Sequence, residues 1–121
     1  MRDVDPVKVT PVEVRAPVGA TVFEITFADG FVSRIDNELL RGYCPCAGCQ
    51  GHSGEIRFVP GGNSVIGHIE EVGSYALQLT WGDGHASGIY TFRYFRALGE
   101  YAAWSRENPD APRQVMPRAM T

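Results

Sequence analysis

The sequence predicts an α+β fold: a small antiparallel β-sheet made of hairpins, one main C-terminal helix and a metal-binding loop. Three observations predict it. Asp29-Gly30 separates two runs of β-formers, residues 75–81 alternate apolar with small or polar side chains, and apolar residues between 91 and about 104 recur three and four apart. At 121 residues, with 44% of them hydrophobic and 21% charged, the chain is sized for one domain around one core.

Residues 1–20 hold Pro6, Pro11 and Pro17 among alternating valines and charged residues, which reads as an extended N-terminal arm or edge strand. The domain proper spans 21–105. It begins with Val22, Phe23, Ile25 and Phe27, turns at Asp29-Gly30 and resumes with Phe31, Val32 and Ile35, which makes a hairpin. Asp36 or Asn37 can cap a short helical turn over Glu38, Leu39, Leu40 and Arg41 that delivers the chain to Gly42 and a cysteine-rich loop. His52-Ser53-Gly54-Glu55 then reads as a turn, residues 56–59 as a strand and Pro60-Gly61-Gly62-Asn63 as a break. A second hairpin joins Val65, Ile66, Ile69 and Val72 to the alternating strand through Gly73-Ser74. Its face of Tyr75, Leu77, Leu79 and Trp81 is expected at the centre of the core. After Gly82-Asp83-Gly84 and His85, the sets Phe95, Leu98, Ala102 and Tyr94, Leu98, Tyr101 give one helix an apolar face. Pro109, Pro112 and Pro117 prevent its continuation, so residues 106–121 read as a flexible Pro-rich tail.

A formal net charge of −3 supplies no basic footprint, which argues against nucleic acid as a partner. No apolar run approaches the roughly 20 residues of a membrane span, and the N-terminal stretch Met1-Arg2-Asp3-Val4-Asp5-Pro6 has no apolar core of a leader peptide. A cytoplasmic location and no membrane association are the expectation. Three cysteines packed into six residues do not suit a disulfide scaffold.

Those cysteines carry the chemistry. Arg41-Gly42-Tyr43-Cys44-Pro45-Cys46-Ala47-Gly48-Cys49-Gln50 sets thiols at i, i+2 and i+5 among residues that let the backbone curl. Three such sulfurs can converge on one soft or borderline ion, at about 2.3 Å for zinc. A closed site needs a fourth ligand, and with no further cysteine the candidates are His52, His68 and His85. His85 is favoured because it follows a Gly-rich turn; His52 is only three residues past Cys49, and His68 lies within an apolar strand. Three thiolates, a dication and a neutral imidazole sum to −1, which Arg41 or nearby N–H groups can offset. An iron or iron-sulfur site remains the alternative metal reading. A thiol-disulfide pair at Cys46 and Cys49 fits less well, since such pairs open a helix in a βαβ unit. Elsewhere Asp29-Gly30 and Asp83-Gly84 read as turns, Glu70 and Glu71 as a strand's two faces, and Gly61-Gly62 lacks the lysine of a phosphate loop. No nucleophile with its base is visible.

The cysteine run, Val72-Gly73-Ser74-Tyr75-Ala76-Leu77 and Trp81-Gly82-Asp83-Gly84-His85-Ala86-Ser87-Gly88-Ile89-Tyr90, in that order, resemble the gamma-butyrobetaine hydroxylase-like N-terminal domain family. The resemblance runs from about 21 to 104. In that family the domain precedes the oxygenase domain of gamma-butyrobetaine and trimethyllysine hydroxylases and holds zinc through three cysteines and a histidine, which fall here on Cys44, Cys46, Cys49 and His85. The family also occurs as short free-standing bacterial proteins, the form this chain resembles, and fused to P-loop ATPases that carry iron-sulfur clusters. The oxygenase's own iron ligands have no counterpart in 121 residues, so hydroxylase activity is not expected. The resemblance implies a zinc-stabilised accessory module that docks a protein partner or a second copy, without catalysis of its own. An iron or iron-sulfur carrier or assembly factor is the alternative.

Overall fold

The β-formers flanking Asp29-Gly30 do fold back on one another. The computed structural model describes residues 6–50 and 55–117. After a short 3-10 turn at Pro6–Val9 come β1 (Pro11–Arg15), β2 (Val22–Phe27) and β3 (Val32–Asp36), which form an antiparallel sheet in that order. Val22 sits opposite Asp36 and Thr26 opposite Val32, so alternation buries Phe23, Ile25 and Phe27 on one face. The turn closes through the Phe27 N–H to the Phe31 carbonyl and the Phe31 N–H to Asp29 Oδ1. Within the N-terminal arm, residues 11–15 thus form an edge strand.

Next come α1 (Asn37–Gly42), α2 (Ala47–Gln50) and β4 (Glu55–Ile56). Asp36 is the N-cap residue of α1, but its side chain makes no capping hydrogen bond. The strand expected at 56–59 is shorter than its pattern suggested. A second antiparallel sheet follows, ordered β5 (Ile66–Val72), β6 (Ala76–Trp81) and β7 (Ile89–Thr91). In β6 Leu77, Leu79 and Trp81 are buried as expected, whereas Tyr75 stands in the preceding turn and is exposed. The strand β7 was not foreseen: three residues are too few to display a period.

Thr91 ends β7 and caps α3 (Phe92–Glu107), its side chain accepting the Tyr94 N–H at 3.0 Å. The buried stripe of α3 is Tyr94, Phe95, Leu98, Tyr101 and Ala102, the face that the sequence predicts. The helix runs past 104 and stops just before Asn108-Pro109. Part of the tail reading needs correcting. Met116–Pro117 forms β8, antiparallel to β4, and Met116 is buried in the common core. The physical reason is local: one apolar side chain enters the core where the short strand edge of β4 accepts pairing. Both sheets and α3 contribute to that core, so the second hairpin is only one of its walls. No described helix is long and apolar enough to cross a membrane.

Candidate metal centre

The end of α1 places the first sulfur. Like any helix, α1 leaves its last carbonyls without partners inside the helix, and two buried tyrosines reach them. The Tyr90 hydroxyl, from β7, donates to the Leu40 carbonyl at 2.8 Å, and the Tyr94 hydroxyl, from α3, donates to the Tyr43 carbonyl at 2.6 Å. Burial pushes the Tyr90 hydroxyl well above its ordinary pKa, so it stays a donor. The Cys44 N–H closes the turn onto the Arg41 carbonyl. Cys44 is therefore fixed by three elements at once, and its side chain is fully buried.

The other two sulfurs follow from the curl at α2. The Cys46 carbonyl accepts from the N–H groups of both Cys49 and Gln50, which turns Cys49 back toward Cys46. Gln50 braces this curl. Its amide donates to the carbonyls of Cys44 and Arg57, and its oxygen accepts the Arg57 N–H.

His85 arrives from the turn between β6 and β7. Gly84 adopts φ +87°, a left-handed conformation that favours glycine, and the His85 N–H donates to Asp83 Oδ1 at 3.1 Å. The Asp83 carboxylate also faces the Arg41 guanidinium, which donates to the Asn63 carbonyl as well. The side-chain bond with Arg41 and the His85 N–H hold Asp83 well down, at about 2. Arg41 thus ties the site's two loops together. Its charge favours the Cys49 thiolate, but its N–H groups are engaged with Asn63 and Asp83 rather than with sulfur.

Four groups converge as a result. His85 Nε2 lies 3.5 Å from each of Cys44 Sγ, Cys46 Sγ and Cys49 Sγ. All four ligand atoms fall within 4.8 Å of one another, a Cys3His group that could hold a metal ion. Gly88 completes the packing: a Cβ there would stand 2.7 Å from Cys44 Sγ, so only glycine leaves the sulfur its place. Of the other histidines, His68 is exposed on β5 and outside this group, and His52 lies outside the described residues.

Protons distribute unevenly over the three thiols. Burial drives Cys44 up to about 12, and the neighbouring cysteines add to that. Burial also raises Cys49. Cys46 is lowered, because hydrogen bonds from Cys49, Cys44 and the Gly48 N–H more than offset its own burial. A cation seated among the sulfurs would displace the remaining protons, so loading would release protons to solvent.

A family model described as gamma-butyrobetaine hydroxylase-like, N-terminal, matches residues 14–96. The chain belongs to that family. Among solved structures, this gamma-butyrobetaine hydroxylase-like domain resembles a protein of unknown function from Acidithiobacillus ferrooxidans, of the DUF971 family, in a crystal structure at 1.93 Å. The two are 35% identical with a TM-score of 0.60, over 77% of this chain and 96% of that one. An NMR solution structure matches at 27% identity and a TM-score of 0.61, covering 84% of this chain and 83% of the other. A second NMR solution structure, at 24% identity and a TM-score of 0.55, shares the fold over 87% of this chain and 88% of its own. No curated protein matches the chain. What sequence reasoning missed in this gamma-butyrobetaine hydroxylase-like domain is the support around the four groups: Gln50, Tyr90, Tyr94, Asp83 and Gly88. Only Gln50 and Asp83 carried a signal, by standing next to Cys49 and in the turn before His85.

Proposed function

We propose that this chain is a zinc-binding accessory module in which Cys44, Cys46, Cys49 and His85 ligate one ion that holds the domain together. The observation that carries this reading is the equal 3.5 Å separation of His85 Nε2 from all three sulfurs. A tetrahedral zinc with sulfur at about 2.3 Å and nitrogen at about 2.0 Å sets that separation at about 3.5 Å. A cluster spreads its thiolates over several irons and keeps them farther apart than ligands of one ion, so the tight group favours a single ion over an iron-sulfur centre. Four protein ligands close the coordination shell and leave no position for a substrate or an activated water, which supports a structural role rather than a catalytic one. The module's work is then to present a surface, to a protein partner or to a second copy.

Metal analysis of the protein purified without oxygen tests the reading. About one zinc per chain is expected, lost together with the native fold of the 44–50 and 83–88 segments in Cys46→Ser. Iron with labile sulfide would move the assignment to a cluster carrier, and a metal-free protein with unchanged melting would overturn the metal reading altogether.

A further inference from the structure

The outer edge of β1 pairs with no strand among the described residues, because β1 ends its sheet. Along it Val12 and Val14 are 63% and 42% exposed, and Glu13 and Arg15, which alternate with them, stand in solvent. An edge of this kind offers unpaired N–H and C=O groups to a further strand. Two prolines bound the template. Pro11 and Pro17 have no N–H to give to a ladder, so pairing is confined to residues 12–16, whose midpoint is Val14.

The charges select the same centre. Two copies related by a two-fold axis pair so that i faces j and j faces i. About Val14, this sets Val14 against Val14 and Glu13 against Arg15 of the second copy, in both directions. About residue 13 or residue 15, Glu13 faces Glu13 or Arg15 faces Arg15, a repulsive rung at the centre of the ladder. A parallel, in-register pairing repels at both positions. The rungs needed are those where β1 is regular: Glu13, Val14 and Arg15 lie opposite Thr26, Ile25 and Glu24, and the register shift falls before them. Glu13 and Arg15 of one chain touch at 3.5 Å, but both are more than half exposed, so this contact competes weakly with a facing strand.

We infer that two copies of this chain associate edge to edge through β1, antiparallel about Val14. The inference rests on the docking half of the proposed function, names its partner as a second copy, and uses none of the four candidate ligands. The contact is short, so the association is of the weak, concentration-dependent kind.

Sedimentation equilibrium of the full chain from micromolar to millimolar concentration tests it. The wild type moves from monomer mass toward dimer mass as concentration rises, and hydrogen exchange at residues 13–15 slows in step. Glu13→Arg and Arg15→Glu each weaken association at least about tenfold, because each turns two attractive rungs repulsive. The double variant, with both charges exchanged, restores opposite charges in both rungs and returns association to near the wild-type level. A monomer at every concentration, single reversals without effect, or a folded double variant that stays monomeric would each overturn the inference. Zinc content is measured on every sample: a dimer without metal sinks the zinc reading alone, and a zinc-loaded monomer sinks this inference alone.

Discussion

Two halves of the molecule are held in different ways. Where β2, β3, β7 and α3 meet, large side chains bury one another: the rings of Phe23 and Phe95 are 5.1 Å apart and those of Tyr90 and Phe95 5.4 Å. From Gly42 to Gln50 the chain has one large aromatic, Tyr43, among cysteine, glycine, proline and alanine, and little apolar area of its own to bury. That corner depends on long-range polar ties from Tyr90, Tyr94 and the Arg41–Asp83 pair and on the local brace from Gln50. The difference teaches that the apolar half builds a frame on which the thiols are hung, and that the proposed ion supplies to the corner what burial supplies to the frame.

Removing the metal is the strongest test of that division. Chelation at neutral pH, or Cys44→Ser, is expected to destabilise the protein by roughly 5 kcal/mol or more, in line with the large contribution of structural zinc in small domains. Hydrogen exchange should then lose protection at the Cys49, Gln50 and His85 amides while those of Ile25 and mid-α3 stay slow. Simultaneous loss in both regions would break the comparison and make the molecule one cooperative unit. Next in size is Tyr90→Phe, which keeps the ring in the frame and removes only the hydroxyl that holds the Leu40 carbonyl. An unsatisfied buried carbonyl costs about 1–3 kcal/mol, and metal affinity measured by competition with a chromophoric chelator should fall with it. Unchanged affinity would assign the hydroxyl to the frame alone. Gly88→Ala acts from the other side, pressing a methyl against Cys44 Sγ. A loss of about 1 kcal/mol in stability is expected, with weaker metal binding. Wild-type affinity would mean that Cys44 can shift freely and is not held as tightly as its surroundings suggest.

The frame was the more legible half because its signals are local and periodic. Asp29-Gly30 between alternating runs, and Tyr94, Phe95, Leu98, Tyr101 and Ala102 on one helical face, can each be read within a few residues. The thiol group was legible for another reason: chemistry that needs three sulfurs together concentrates them in sequence, and the turn before His85 marked the remaining group. Its supports were not. Tyr90 and Tyr94 look like ordinary core residues until the fold brings their hydroxyls to carbonyls some 50 residues away. Gly88 reads as one glycine among fourteen, and only the position of Cys44 explains why it cannot carry a methyl. The two-residue strand β8 is hidden among prolines because Met116 is the only part of it with a pattern to read.

Arg96 offers the finest test, because it is a polar tie inside the apolar half. Its guanidinium lies 4.2 Å from the Phe31 ring and bonds both Asp29 oxygens at 3.0 Å, Glu100 at 2.8 Å and the Lys8 carbonyl at 3.1 Å, joining the first turn, the β2–β3 hairpin and α3. Burial alone would raise the Asp29 carboxyl, but the Phe31 N–H and Arg96 outweigh it, and the net shift is downward from 3.8. A carboxyl whose folded value lies below its unfolded one stabilises the fold above the unfolded value and loses that contribution as pH falls through the folded value. Wild type should therefore exceed Asp29→Asn in denaturant midpoint by a small constant amount at neutral pH, and the two should converge as the pH drops below 3.8. A metal held by the thiols would respond to acid too, since protons compete with metal for them, so the comparison belongs in a Cys44→Ser background without that response. Convergence there places the acid sensitivity of the frame in the Asp29–Arg96 contact. Parallel curves for the two proteins down to the acid limit would show that the hairpin is held to α3 by its aromatic rings and not by charge.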